Sequence, residues 1–155
     1  NEQNTSIVIS RIFSLASQNS KPIRLVVSSY GGNIDDMMSL YDTIRFVRTP
    51  IYTSGLGKIM SAAVLLLACG TKGYRTMGKH ARIMIHNAYS GSEGDIFSQK
   101  NQLEEFDRQQ ELMEDCLCKE TKITKAQIKK IMAERLDKYI LSEEAVKLGI
   151  VDYIL

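Results

Sequence analysis

The sequence predicts a mixed α/β fold whose central strands are mostly parallel. Two observations favour this class. Short β-branched runs alternate with stretches of helical periodicity, and glycine- or proline-bearing turns separate them. No internal repeat or linker divides the 155 residues, which are enough to bury a core of their own. We therefore expect a single domain that spans residues 1–155.

The first half of the chain predicts two pairs of helix and strand. Apolar side chains recur at three- and four-residue intervals in the helices and as short runs in the strands. In order, the elements are a helix over residues 5–18, a strand at Ile23–Val27, a helix from the cap residue Asn33 to a stop at Pro50, and a strand at Ile51–Thr53. We expect Gly55 and Gly57 to turn the chain after this strand. The turn would lead into an apolar helix that runs from Ser61 to Gly70 and is buried all round.

The second half predicts three further strands and three helices. In order, these are strands at Tyr74–Met77 and Ala81–His86, a long helix at about 95–120, a helix from Thr124 to about Glu134, a short helix from Ser142 to Gly149 and a strand at Ile150–Ile154. Thr124 and Gln127 have the spacing of a capping box. The long helix has a narrow apolar stripe amid dense charge, which suits either a helix that projects to a partner or a solvated helix with many ion pairs.

Composition excludes several classes of function. With 20 basic and 18 acidic side chains the formal charge is +2, so no electrostatic pattern indicates a nucleic acid or membrane partner. We identify no stretch long enough for a membrane helix and no signal peptide. The three cysteines lack the spacing of a metal site or a redox dithiol, so we expect free thiols in the cytoplasm or an equivalent reducing organelle.

Ser61 is the most informative residue. It lies just before an apolar run, where the N–H groups of a helix start favour developing negative charge. That position suits a nucleophile, and it also suits an ordinary N-cap serine. A nucleophilic serine needs a base, and His86 is the candidate because it ends an apolar strand, whereas His80 lies in a polar turn. His86 can equally be a structural residue at a strand end.

Two further features could complete such a site. Asp137 enters the apolar segment Tyr139-Ile140-Leu141, where it could orient an imidazole or merely cap a turn. The Gly31-Gly32 pair follows a strand, where the backbone can approach a bound group closely, although a plain tight turn explains the pair as well.

Four segments in this order resemble the Clp protease proteolytic subunit (ClpP) family. They are Ser28-Ser29-Tyr30-Gly31-Gly32, the block from Gly57 through Ser61 to Gly70, Arg82-Ile83-Met84-Ile85-His86, and the stretch from Glu143 to Asp152. The similarity extends from about residue 5 to residue 155. The resemblance implies Ser61 as nucleophile, His86 as general base and acid, and Asp137 as the acid behind it. It also implies an oxyanion hole made of the backbone N–H groups of Gly32 and Ala62, with no cofactor and no metal.

The family also implies an assembly. Its fold is a crotonase-like α/β core with a projecting long helix, here about 95–120, by which subunits interlock into two stacked heptameric rings. An AAA+ unfoldase uses ATP and threads unfolded polypeptides into the rings, and the substrate would lie extended beside Gly91–Gly94. The family's amino-terminal axial loop and first strand precede the point where this chain begins, so we expect that segment to be absent here.

Departures from the family pattern keep alternatives open. They are Tyr30 in place of proline, Ala62-Ala63 in place of Met-Gly, Asn87-Ala88 in place of Gln-Pro, and Arg135-Leu136 before Asp137. The chain could be an inactive ring-forming member of the family or a Ser/Lys hydrolase of the signal-peptide-peptidase kind with Lys58 as base. Acyl-CoA chemistry of the crotonase type is a further alternative, and Asp152 is a second candidate for the acid.

Overall fold

The architecture is a sheet flanked by helices, in a computed structural model that describes residues 2–87, 91, 93–134 and 136–155. The helices and strands are α1 Glu2–Gln18, β1 Ile23–Ser29, α2 Ile34–Phe46, β2 Ile51–Met60, α3 Ala63–Ala68, β3 Arg75–Met77, β4 Arg82–Ile85, α4 Ile96–Glu120, α5 Lys125–Glu134, β5 Lys138–Leu141, α6 Ser142–Lys147 and β6 Tyr153–Ile154. The predicted α/β class is confirmed.

The described strands form one six-stranded sheet in which β2 is central. The order β5-β4-β2-β3-β6 runs along one path, and β1 pairs with the opposite edge of β2. The pairings of β2 with β1, β3 and β4 are parallel, and so is the pairing of β3 with β6. The pairing of β4 with β5 is antiparallel. The prediction of a mostly parallel core sheet is therefore confirmed.

The prediction of a turn at Gly55 and Gly57 is wrong, because β2 continues through both glycines to Met60. A Cβ on Gly55 would lie 2.8 Å from a methyl group of Leu67, so this glycine allows close packing of α3 on the strand. Gly57 has a φ of 66°, and the pairing with β1 is irregular beside it. The glycines thus bend a continuous strand, which exchanges β3 for β4 as its neighbour along one edge.

The core is built around α3, the short apolar helix that follows β2. Its residues Ala63, Val64, Leu65, Leu67 and Ala68 are all buried, as the all-apolar pattern predicts. Fully buried isoleucines from the sheet and its flanks complete the cluster, namely Ile59, Ile83, Ile128, Ile140 and Ile150. Because α3 begins three residues after β2 ends, the residues between them are fixed by the core on both sides.

Two elements near the carboxyl end differ from the prediction. The strand β5 was not predicted as a strand, and the strand predicted at Ile150–Ile154 is confined to Tyr153–Ile154. The N–H groups of Ile150 and Val151 donate instead to the carbonyl of Ala145, because the chain is still turning out of α6. The last strand therefore begins only after this turn.

The long helix α4 confirms the element predicted at about 95–120. It has 25 residues, starts at the N-cap Asp95, whose carboxylate accepts from the N–H groups of Phe97 and Ser98, and buries only Glu114, Leu117 and Glu120. Apolar side chains in its first half are exposed, including Ile96 at 76% and Phe97 at 78%. A solvated helix has no need of such side chains, so their exposure favours the interpretation that a partner covers them.

The predicted capping box begins α5. The Thr124 N–H donates to Oε1 of Gln127 at 2.8 Å, and the Gln127 N–H donates to Oγ1 of Thr124 at 3.2 Å. Two N–H groups that the helix cannot satisfy are thereby paired. Among the helices that the structure describes, none combines the length and the apolar character that crossing a bilayer requires.

A buried ion pair joins β3 to the carboxyl end of the chain. Arg75 is 4% exposed, and its Nη2 donates to Oδ1 of Asp152 at 2.7 Å. Its Nη1 donates to the carbonyls of Ala68 and Glu120, which end α3 and α4. The guanidinium thus ties three elements together with charge-assisted hydrogen bonds.

We expect acidification to destabilise the fold through protonation of Asp152. Burial raises the pKa of this carboxyl, but hydrogen bonds from Arg75 and Gly73 outweigh burial and hold the pKa below its ordinary value of 3.8. The carboxylate's contribution is therefore complete above the ordinary value and is lost as the pH falls through the folded-state pKa. Urea unfolding over a series of pH values measures this loss. In the Asp152→Asn variant the free energy of unfolding should fall less steeply as the pH is lowered. An unchanged dependence on pH would contradict this role of Asp152.

Candidate active site

Ser61 occupies the junction between β2 and α3 in a strained backbone conformation. Its φ is 55°, and among the described residues it is the one non-glycine residue with a positive φ. Its N–H donates to the carbonyl of Met84 at 2.8 Å, and its carbonyl accepts from the N–H of Val64 at 3.0 Å. A serine held in a tight turn from strand to helix is the arrangement of a nucleophile elbow. The strain is maintained by hydrogen bonds on both sides of the residue.

The structure brings His86 to the same pocket as Ser61. Met60 pairs with Met84 in the parallel ladder of β2 and β4, so the residues that follow the two strands lie side by side. Ser61 and His86 both line a nearly closed pocket of about 20 Å³ whose other walls are mostly apolar. Both predicted residues thus line one pocket, and a hydrogen bond between them stays a prediction.

Asp137 lies directly before β5, at the end of the antiparallel ladder that β5 forms with β4. Ile85 pairs with Lys138, so one further step of the same register would set Asp137 opposite His86. Directly opposite residues have their side chains on the same face of a sheet. Asp137 is exposed and is not among the residues that line the pocket of Ser61 and His86. The register of β4 and β5 therefore allows Asp137 and His86 to lie side by side, and contact between their side chains stays a prediction.

The Gly31-Gly32 turn lies against the backbone of Ser61. A Cβ on Gly31 would lie 2.8 Å from both the Met60 carbonyl oxygen and the Ser61 Cβ, and Gly31 has a φ of 95°. Gly32 and Ala62, the two predicted oxyanion donors, line one shared pocket of about 190 Å³. The backbone segments that would hold an oxyanion are thus adjacent, beside the serine.

Gly31→Ala should destabilise the fold more than Gly73→Ala does. Both glycines have a positive φ, but a Cβ at Gly73 would meet nothing within 4 Å, whereas at Gly31 it would meet backbone. We expect a cost of about 1 kcal/mol at Gly73 from backbone strain alone and roughly 2–3 kcal/mol more at Gly31 from overpacking. Chemical denaturation of the two variants measures the difference. Equal losses would show that the Gly31 turn has room to relax.

Asp152, the alternative acid, is engaged elsewhere. Its Oδ2 accepts from the N–H groups of Gly73 and Arg75 and from the Arg75 guanidinium, which also binds Oδ1. A carboxylate with four such bonds is a structural anchor. The interpretation of Asp152 as the acid behind His86 is therefore wrong.

Lys58, the base of the Ser/Lys alternative, packs on an aromatic ring. Its Nζ lies 4.5 Å from the ring centroid of Tyr30, the residue that replaces the family's proline. This cation–π contact directs the ammonium to the Tyr30 ring. Lys58 lies on β2, three residues before Ser61, and its backbone pairs with that of Arg82 on β4. The geometry therefore favours His86 over Lys58 as the base.

The pocket of Ser61 and His86 contains one acid that the sequence did not reveal. Glu114, on α4, is 8% exposed and lines this pocket together with Met113 and Leu117. The sequence of α4 is dense in charge, so Glu114 differs little from its exposed neighbours. The one weak signal is its place next to Met113, a residue of the predicted apolar stripe.

Several predicted features lie outside the described residues. Ala88 and Arg135 belong to this group, as does Ser92 in the stretch Gly91–Gly94 expected beside a peptide substrate. Among the residues that the structure does describe, no three of His, Cys, Asp and Glu are grouped so as to hold a metal ion. The three cysteines are free thiols, and burial raises the pKa of Cys69 to about 12.

An α/β fold that presents a strained serine and a histidine at one pocket is typical of hydrolases. The Clp protease family profile matches residues 1–155. The chain belongs to the Clp protease family.

Curated relatives from several bacteria agree with this assignment. The chain is 37% identical over 135 residues to "ATP-dependent Clp protease proteolytic subunit 2" of Corynebacterium jeikeium. The aligned residues cover 86% of this chain and 64% of the relative. It is 38% identical to proteolytic subunit 1 of Corynebacterium glutamicum over the same shares of both chains. Subunit 1 of Thermobifida fusca is 39% identical over 87% of this chain and 60% of the relative. The chain thus spans just under two thirds of the length of these relatives.

Proposed function

We propose that this chain is a serine endopeptidase subunit that cleaves unfolded polypeptides through an acyl-enzyme. The observation that carries the proposal is the strained Ser61, placed between β2 and α3 in the pocket that His86 also lines. A serine in this conformation can direct its hydroxyl away from the strand and the helix that fix its backbone. Membership of the Clp protease family supports peptide-bond hydrolysis as the reaction of Ser61 and His86.

In the proposed reaction Ser61 Oγ attacks the carbonyl carbon of the scissile amide and His86 takes the hydroxyl proton. The carbonyl oxygen becomes an oxyanion, which accepts hydrogen bonds from the N–H groups of Gly32 and Ala62. His86 then gives its proton to the leaving amine, the C–N bond breaks and an ester to Ser61 remains. Water deprotonated by His86 then attacks the ester carbonyl, and His86 returns this proton to Ser61 Oγ as the C–O bond breaks and the acid product leaves. Asp137 would orient the imidazole in both halves of the reaction.

We further propose that the subunit works in an assembly. Subunits would form heptameric rings, two of them stacked, through the exposed apolar side chains of α4, including Ile96 and Phe97. The relatives are named as subunits of an ATP-dependent protease. An AAA+ unfoldase would supply the ATP-dependent step, so this chain itself needs no cofactor. The three free thiols suit a reducing compartment such as the cytoplasm.

A fluorophosphonate probe tests the proposed nucleophile. The probe forms a covalent bond to an activated serine, so peptide mass spectrometry of the labelled protein should find it on Ser61. His86→Ala should prevent labelling, and Lys58→Met should not. Labelling that survives His86→Ala but is lost in Lys58→Met would support the Ser/Lys alternative. Ring-sized particles that resist the probe would identify the chain as an inactive ring-forming member and overturn the proposal.

A further inference from the structure

Glu114 is a buried carboxylate with one unused oxygen. Its Oε1 accepts a hydrogen bond from Nε2 of Gln110 at 2.9 Å. Its other oxygen, Oε2, accepts none from the described residues, and no ion pair between described residues includes Glu114. This carboxylate is 8% exposed, and no lysine or arginine among the described residues forms an ion pair with it. A positively charged ligand group would stabilise it.

The pocket around Glu114 has the chemistry of a site for a long basic side chain. Its walls are mostly apolar, and its polar side chains are those of Ser61, His86 and Glu114. The apolar wall residues are Val64, Leu65, Ile85, Met113, Leu117, Ile128 and Met132. The methylene groups of a lysine or arginine can pack on such walls while the charged end reaches a carboxylate.

We propose that Glu114 makes this peptidase select lysine or arginine as the residue whose carbonyl Ser61 attacks. This inference rests on the proposed function, because Ser61 must first act as the nucleophile. The side chain of the attacked residue lies beside the nucleophile, and Glu114 lines the pocket that Ser61 also lines. Glu114 is therefore a specificity-determining residue for a basic side chain.

The pocket must widen to admit such a side chain. Its volume of about 20 Å³ is close to that of one water molecule. Met113 and Met132 are half-buried members of its wall, and methionine repacks easily because it is unbranched and flexible. We infer that the pocket opens by movement of these two methionines when substrate binds, while Glu114 stays held by Gln110.

The test compares two fluorogenic peptides that differ only at the residue before the scissile bond. One has lysine there and the other has norleucine, which has a similar length but lacks the ammonium. We expect the lysine peptide to be cleaved with a kcat/KM about tenfold or more above that of the norleucine peptide. Glu114→Gln keeps the shape of the side chain and removes its charge, so it should reduce this ratio about tenfold.

Glu105→Gln is the control, because Glu105 lies on the same helix, is exposed and pairs with Arg108 of α4. It should leave the ratio of the two kcat/KM values unchanged. A wild-type ratio at or below one would overturn the inference, and so would a ratio that Glu114→Gln does not change. Equal losses on both peptides in Glu114→Gln would also overturn it, since they would indicate a role toward His86 or the fold. Failure of the proposed function has a different signature, namely no cleavage of either peptide and no labelling of Ser61 by the fluorophosphonate.

Discussion

Replacing Ser61 with glycine is expected to abolish peptide cleavage and to stabilise the fold at the same time. The nucleophilic hydroxyl is lost, so kcat/KM should fall about ten-thousand-fold or more. Glycine adopts the φ of 55° without the steric cost that a side chain has there. We expect a gain of about 1 kcal/mol in the free energy of unfolding, measured by urea denaturation, beside the loss of activity on a fluorogenic peptide.

Ser61→Ala separates the two effects. It removes the hydroxyl but keeps a Cβ in the strained conformation, so activity should be lost with little change in stability. Ser39→Ala is the control, because this exposed serine lies on α2 and donates only to the carbonyl of Asp35. Activity that persists in either Ser61 variant would remove Ser61 from the mechanism. A glycine variant less stable than the alanine variant would show that the strain assignment is wrong.

Replacing Arg75 with methionine is expected to cost about 3–5 kcal/mol of stability. The substitution leaves the Asp152 carboxylate and the carbonyls of Ala68 and Glu120 without the donor that now satisfies them. A charge left partly buried without its partner is costly, and three elements lose their common anchor. The midpoint of urea unfolding, followed by circular dichroism, measures the loss.

Two further variants show whether the cost comes from the buried ion pair. Arg108→Met removes an arginine whose side chain is 73% exposed and whose partner is Glu105 on the same helix, so it should change stability by about 0.5 kcal/mol or less. Adding Asp152→Asn to Arg75→Met should cost less than the sum of the two single substitutions, because the second removes the stranded charge. Strictly additive losses would argue against a direct pairing.

The sequence predicts the existence and order of the helices for local reasons. The cap of α2 is an example, because the Asn33 side chain accepts from the N–H groups of Asp35 and Asp36 and needs nothing distant. The Thr124 and Gln127 capping box is equally local. The apolar run after Ser61 indicates a buried helix whatever it packs against. Such features depend on neighbouring residues alone.

Features that depend on distant residues escape prediction. The strand β5 is four residues long, with one buried side chain, Ile140, and it becomes a strand through its pairing with β4. The glycines of β2 indicate a turn locally, but contacts with Leu67 and Ile59 keep that segment in the sheet. Asp152 differs from exposed acids through the partners that the fold brings to it, and Glu114 differs through its burial. The reach of Asp137 toward His86 likewise depends on β5.

The central strand β2 has consequences for how the molecule opens. One edge is occupied by β1 and the other by β3 and then β4, so Thr53, Ser54, Gly55 and Ile59 have strand partners on both sides. Peeling a single neighbour away leaves the strand held by the others. We therefore expect exposure of the amides of these four residues to require nearly global unfolding, so that hydrogen exchange there reports the stability of the whole fold. The amides in the exposed first turns of α4 should exchange earlier.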